Sequence, residues 1–270
     1  MENDTPEAAE ELRRLLRVMA ALRDPERGCP WDREQSFDTI APYTLEEAYE
    51  VADAIARRDW SALEDELGDL LFQVVYYAQM GAEDGRFDFA AVARGIAAKM
   101  IRRHPHVFGS ESRETSAEQN AAWEAQKAEE RATRAETGVL AGLPLALPAL
   151  TRAAKLTRRA ARVGFDWPDA DAVLDKLAEE TEELRAELAA PARDQARLAD
   201  EVGDMLFVLA NLARKLDLDP EACLRGANAK FERRFGAIES ALASEGRRPD
   251  QASLEEMEAH WQAAKAAERA

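Results

Sequence analysis

The chain has 270 residues, 46% hydrophobic and 33% charged, with 13 Gly and 11 Pro, enough for one or two globular domains with a buried core. Lys and Arg number 36 against 53 Asp and Glu, and the net charge of −17 argues against a nucleic-acid binder; an anionic small molecule would need a cation beside it. Two distant cysteines, Cys29 and Cys223, argue against a disulfide scaffold or a cysteine zinc site and point to a reducing, cytoplasmic setting. Residues 138–150, the longest apolar stretch, hold two Gly and two Pro and are too short to span a membrane. The first residues, Met1-Glu2-Asn3-Asp4, lack the basic start and apolar core of a signal peptide.

Ala, Leu, Glu and Arg dominate, and apolar residues recur at every third or fourth position. The pattern predicts helices at about 6–22, 44–57, 60–82, 88–103, 116–134, 145–162, 170–189, 193–216, 219–244 and 253–268. Breakers separate them at 25–30, 81–85, 105–109, 164–168 and Pro191. The expected fold class is all-α. Residues 109–120 read as a polar, mobile stretch. The predicted domains are 1–137 and 149–270, with 138–148 as the link.

The chain repeats itself, and the expected architecture is a tandem duplication of one helical-bundle domain. Asp65-Glu66-Leu67-Gly68-Asp69-Leu70-Leu71-Phe72 returns as Asp200-Glu201-Val202-Gly203-Asp204-Met205-Leu206-Phe207. Glu46-Glu47-x-x-Glu50 returns as Glu179-Glu180-x-x-Glu183, Lys99-x-x-x-Arg103 as Lys230-x-x-x-Arg234, and Trp123-x-x-x-Lys127 as Trp261-x-x-x-Lys265. All four features keep their order.

Carboxylates three apart share a helix face, as Glu180 with Glu183, Glu201 with Asp204, Glu47 with Glu50, and Glu66 with Asp69. A short turn, near Asp59 in one half and Pro191 in the other, should fold each pair of helices antiparallel and bring four acids together. A lone Glu-x-x-Glu is ordinarily a solvated surface pair. Here Asp69 and Asp204 run directly into Leu-Leu-Phe and Met-Leu-Phe, so they are expected to face the interior, where a charge needs a partner or a metal. Oxygen-only ligands point to Mg²⁺, with Mn²⁺ as a substitute. Di-iron sites of helical bundles use Glu-x-x-His, and none of the three histidines, His104, His106 and His260, follows a Glu at that spacing. Gly68 and Gly203, inside predicted helices, suggest a close backbone approach or space for a ligand.

The basic pairs Lys230/Arg234 and Lys99/Arg103 each share a helix face. With a bound cation they could clamp a polyphosphate, while Trp261 or Trp123 stacks on a base. Cys29-Pro30-Trp31-Asp32 and its echo Phe165-Asp166-Trp167-Pro168 read as packed turns, and His104-Pro105-His106 as a loop anchor. No phosphate-binding Gly-rich loop occurs.

Glu-Glu-x-x-Glu followed by Glu-x-x-Asp, twice, with Cys29-Pro30-Trp31-Asp32 before and Arg102-Arg103-His104-Pro105-His106-Val107-Phe108-Gly109 after, resembles the MazG family of all-α nucleoside triphosphate pyrophosphohydrolases. The resemblance implies Mg²⁺-dependent hydrolysis of NTPs and dNTPs to the monophosphate and diphosphate, broad base range, a homodimer and nucleotide-pool house-cleaning. It makes Glu180, Glu183, Glu201 and Asp204 metal ligands, with Glu47, Glu50, Glu66 and Asp69 as first-half counterparts. Lys230, Arg234, Trp261 and Lys265 would hold the nucleotide, assisted by Lys176 and Arg197; Lys99, Arg103, Trp123 and Lys127 correspond. A spare carboxylate, Glu179 or Glu46 or one of the four acids, would serve as general base. The first half has Tyr43 in place of Lys176 and Ala62 near the place of Arg197, so the second half is expected to be the more active. The competing readings are a nucleotide sensor and a scaffold dimer, both without turnover.

Overall fold

The computed structural model describes residues 6–110, 115, 119, 122–123 and 138–268, and no strand occurs among them. Close contacts divide the chain into two compact units, Met1–Gln126 and Lys127–Ala270.

In the first unit, α1 (Pro6–Leu22), α2 (Pro30–Glu34), α3 (Phe37–Arg57), α4 (Trp60–Glu83), α5 (Phe89–Arg103) and the single turn α6 (Pro105–Phe108) follow in order. Polar caps set the boundaries. Ser36 and Thr39 form a capping box at the start of α3, Asp59 accepts from the Ala62 amide to begin α4, and Asp88 does the same for α5 through Ala91. Arg58, at φ 56°, ends α3 in the left-handed conformation, so the chain reverses within two residues and α4 packs along α3. The core is Met19 of α1, Ile40 of α3 and Val75, Tyr76 and Met80 of α4, flanked by Phe37, Phe72, Tyr77 and Phe89.

The second unit holds α7 (Ala149–Ala161), α8 (Ala170–Ala189), α9 (Gln195–Lys215), α10 (Pro220–Ser244), a 3₁₀ turn (Pro249–Gln251) and α11 (Leu254–Ala267). Asp169, Asp194, Asp219 and Ser253 cap α8 to α11. The α8–α9 pair repeats α3–α4; α7 packs on α9 and on α10, and α11 packs along α10. Val173, Val208, Ala210, Ile238 and Leu242 are buried.

The helices expected at 44–57, 145–162 and 193–216 have moved boundaries. Helix α3 starts seven residues earlier, at Phe37, because the Ser36 box nucleates it and Pro42 is carried inside it. Helix α7 starts at Ala149 because Pro148 has no amide hydrogen to continue the helix backwards. Gln195 opens α9 after the Asp194 cap. Gln119, Ala122 and Trp123 are helical as expected, and the rest of 116–134 lies outside the described residues. Neither α2 nor α6 was visible as a periodic segment; each begins at a proline in the first turn.

The two halves fasten the turn before their acidic helix in different ways. In the first unit Asp32 is buried, and the Tyr76 hydroxyl of α4 donates to its backbone carbonyl at 2.8 Å and its carboxylate at 3.1 Å. Arg23 pairs with Glu83 at 2.6 Å. In the second unit Asp166 takes Arg214 at 2.6 Å and Lys215 at 2.8 Å, and Lys215 also reaches the Trp167 carbonyl. The packed-turn reading holds only in part: Asp32 is buried but Pro30 opens α2 and Trp31 is 50% exposed, and Phe165 is 77% exposed beside the half-buried Trp167. No described helix is long and apolar enough to cross a membrane.

Candidate functional site

The antiparallel pair α8–α9 places Glu180 and Glu183 opposite Glu201, and one carboxylate oxygen from each lies within 4.8 Å of the others. In the first unit α3–α4 brings Glu47, Glu66 and Asp69 together in the same way. Three of the four expected acids therefore converge in each half. Asp204 and Glu50 lie outside the trios, yet both act on them, since Asp204 raises the Glu201 pKa and Glu50 raises that of Glu47.

Burial is uneven. Glu180 is 5% exposed; Glu47, Glu66 and Glu201 are half-buried. Asp69 and Asp204 are exposed, which corrects the expectation that they face the interior. Their apolar neighbours misled: Leu71 and Leu206 are themselves more than 40% exposed. Of the two glycine readings, the close backbone approach is ruled out. A Cβ at Gly68 or Gly203 would meet nothing within 4 Å, so no backbone approaches closely and the space before each is open.

The acids press on one another. Burial pushes the Glu47 carboxyl above its ordinary range, and the charges of Asp69, Glu50 and Glu66 push it further. Burial, then Glu50, Asp69 and Asp65, raise Glu66; burial, then Glu183, Glu180, Asp204 and Glu187, raise Glu201.

A divalent cation fits this arrangement. The donors are all carboxylate oxygens, the choice of Mg²⁺ and Mn²⁺. Glu180 gives one oxygen to Lys176 Nζ at 2.9 Å, while its Oε2 is buried with no hydrogen-bond partner. A buried carboxylate oxygen left without a partner costs about 1–3 kcal/mol, which a cation would recover. The first half solves the same problem with a neutral group: the buried Gln73 amide reaches Glu47 at 3.5 Å, and Tyr43 stands where Lys176 would be.

Three of the predicted cations, Lys176, Arg197 and Arg234, have acidic partners. Lys176 bridges Glu179 at 2.6 Å and Glu180 at 2.9 Å, so it is a counter-ion of the cluster. Arg197 is exposed and pairs with Glu187 at 3.1 Å. Arg234 of α10 is half-buried, with its guanidinium carbon 5.4 Å from the centre of the Trp261 ring of α11. Phe231 packs against the same ring, 5.4 Å between centroids, and is 58% exposed. Lys230 is exposed and Lys265 half-buried; Glu46 and Glu179 are exposed beside their clusters. In the first half Lys99 and Arg103 are half-buried, and Trp123 lies edge-on to His104 at 5.5 Å. His104 also bonds the Met100 carbonyl at 2.7 Å, which makes it an anchor of the loop. Lys127 lies outside the described residues.

Sequence reasoning missed Glu187, Glu268, Phe231 and Gln73. Glu187 falls four residues after Glu183 and Glu268 three after Lys265, so helical spacing alone could have flagged both. Gln73 carried no signal, for its counterpart is Val208.

Two all-helical units that each converge three acids from an antiparallel helix pair define a duplicated acidic-bundle protein. The chain matches the MazG nucleotide pyrophosphohydrolase domain twice, over residues 35–108 and 169–236, and it belongs to the MazG family. It is 53% identical over 255 residues to a nucleoside triphosphate pyrophosphohydrolase of Escherichia coli strain K12, covering 94% of this chain and 97% of that one. It is 40% identical over 251 residues to the nucleoside triphosphate pyrophosphohydrolase/pyrophosphatase MazG of Thermotoga maritima, covering 93% and 94%. A nucleoside triphosphate pyrophosphohydrolase of Mycolicibacterium smegmatis is 35% identical over 155 residues, 56% of this chain and 47% of that one.

Proposed function

We propose that this protein is a cytoplasmic, Mg²⁺-dependent nucleoside triphosphate pyrophosphohydrolase. It converts NTPs and dNTPs with water to the monophosphate and diphosphate, has a broad base range and serves nucleotide-pool house-cleaning. The observation that carries this reading is the half-satisfied, buried Glu180 between Glu183 and Glu201, a site that asks for a divalent cation. The two relatives matched over nearly their whole length, both named as nucleoside triphosphate pyrophosphohydrolases, support the same reaction class.

Glu180, Glu183 and Glu201 would hold the cation with Asp204 beside them; Glu47, Glu50, Glu66 and Asp69 are the first-half equivalents. When bound, Mg²⁺ supplies positive charge to a phosphoryl oxygen and acidity to a water. The chain's own residues do the rest. Glu179, paired with Lys176 at 2.6 Å at the edge of the cluster, is placed to take a proton from water, and Glu46 is its exposed counterpart. Arg234 and Lys230 bind phosphate oxygens, Trp261 and Phe231 offer faces for a base, and Lys265 closes over the nucleotide. The two MazG-like halves correspond to 1–137 and 149–270, joined by 138–148.

A homodimer is part of the proposal. Leu67, Leu71 and Val74 form a stripe along α4, and Val202, Leu206 and Leu209 form the same stripe along α9, each residue 38–49% exposed. Apolar stripes at four- and three-residue spacing on helices call for a partner, and the net charge of −17 argues against nucleic acid as that partner.

Incubation with Mg²⁺ and mixed nucleotides, with monophosphate and diphosphate measured by chromatography, tests the reading. Equal amounts of the two are expected. Binding without diphosphate release would make the protein a sensor, and no binding would make it a scaffold.

A further inference from the structure

The C-terminal end of α11 puts a carboxylate on the arginine assigned to the phosphates. Glu268 Oε2 accepts from Arg234 Nε at 2.9 Å and Nη2 at 2.6 Å, and its Oε1 accepts from Arg233 Nη2 at 3.0 Å. Arg234 is therefore held between this carboxylate and the Trp261 ring, with its side chain 14% exposed. Two of its five N–H donors, on one edge of the fork, are occupied by an anion of the chain itself.

We propose that Glu268 is an anionic latch: it occupies the edge of Arg234 that a nucleotide phosphate takes, and substrate binds by displacing it. The proposal rests on the reading of Arg234 as a phosphate-binding residue. Three features make the exchange favourable. Glu268 caps the C-terminal end of α11, where the helix dipole disfavours negative charge, so its place depends on the arginines. A polyphosphate carries several times the charge of one carboxylate and can give that edge of the fork two oxygens, where Glu268 gives both N–H donors a single one. Arg233, 61% exposed, keeps hold of the other Glu268 oxygen, so the latch can leave Arg234 without coming free of α10. The Glu268 carboxyl also lies below its ordinary pKa range, chiefly through its hydrogen bond to Arg234, so it stays charged at neutral pH.

Calorimetric titration of the full chain with α,β-methylene adenosine triphosphate and Mg²⁺ tests this. Glu268→Gln keeps the shape but removes the charge and one of the two acceptor oxygens, and is expected to bind the analogue roughly two- to fivefold more tightly. Glu268→Ala should match or exceed it. On an Arg234→Ala background the gain should vanish, and in turnover it should fall in KM with kcat unchanged. Affinity equal to or weaker than wild type in both Glu268 variants overturns the latch, as does a gain that survives without Arg234. An Arg234→Ala chain that binds as tightly as wild type fails differently: it removes the phosphate role of Arg234 itself.

Discussion

Among single residues, Glu180 has the least freedom. It is buried, shares one oxygen with Lys176 and has nothing on the other. Glu180→Ala is expected to lower turnover on the order of 100-fold, measured as diphosphate release at saturating Mg²⁺. Glu47→Ala should cost much less, because the first half lacks the Lys176 ammonium and the Arg197–Glu187 pair. Equal losses from both would show that positive charge does not rank the halves. The raised carboxyls give a second expectation. Glu47, Glu66 and Glu201 bind protons more tightly folded than unfolded, so their contribution to stability is full below the ordinary carboxylate range and falls as pH rises through their raised values. A divalent cation binds the ionised forms and reverses that loss. The rise in melting temperature on replacing EDTA with Mg²⁺ should therefore be larger at pH 7.5 than at pH 5; the opposite order would mean that the trios do not hold the metal. The acidic pairs were legible in the sequence because i to i+3 spacing fixes a helix face whatever the packing. The depth of Asp204 was not, since a neighbour such as Leu206 tells how apolar a face is and not whether anything covers it.

At the scale of the element, the α8–α9 pair is held in register by the turn before it. Asp166 sits in a double ion pair with Arg214 and Lys215, and although burial works against it, those two cations hold its carboxyl below the usual range. Asp166→Asn should cost about 2 kcal/mol at pH 7, the scale of a hydrogen bond to a charged group. The sign is that of a depressed acid: the stabilisation is present above about pH 4 and is lost as pH falls through the lowered value. Urea titrations of both chains should converge in that acid range, and a gap that persists there would mean the loss was one of packing. The helices themselves were readable from period and breakers, and Asp59 stands just before its periodic run, whereas Asp194 fell inside the run expected at 193–216. The start of α3 was hidden because Pro42 looks like a boundary when read alone, while the Ser36–Thr39 box that overrides it lies outside the apolar period.

For the whole molecule, the proposed homodimer would be carried by the matched stripes of α4 and α9. Leu206→Glu should shift the protein toward monomer in light scattering at micromolar concentration, since a charge at the centre of an apolar contact must be desolvated without a partner. Leu71→Glu tests the first half in the same way. Unchanged mass in both would leave the stripes without a role in assembly. The duplication was plain from the repeated octapeptide; the different fastenings of the two units, Tyr76 on Asp32 against Arg214 on Asp166, were not, because equivalent positions hold unlike residues.

Gly203 and Gly68 turn the open space before each acidic helix into a ruler one methyl group long. Nothing in the isolated chain would touch an added Cβ, and alanine in a helix interior is worth about 0.8–1 kcal/mol over glycine. Gly203→Ala should therefore melt a few degrees higher than the parent chain while raising KM for the nucleotide. The same change at Gly68 should give the thermal gain with little kinetic cost. The distance between those two responses measures how much of a bound nucleotide comes within reach of a single carbon on α9.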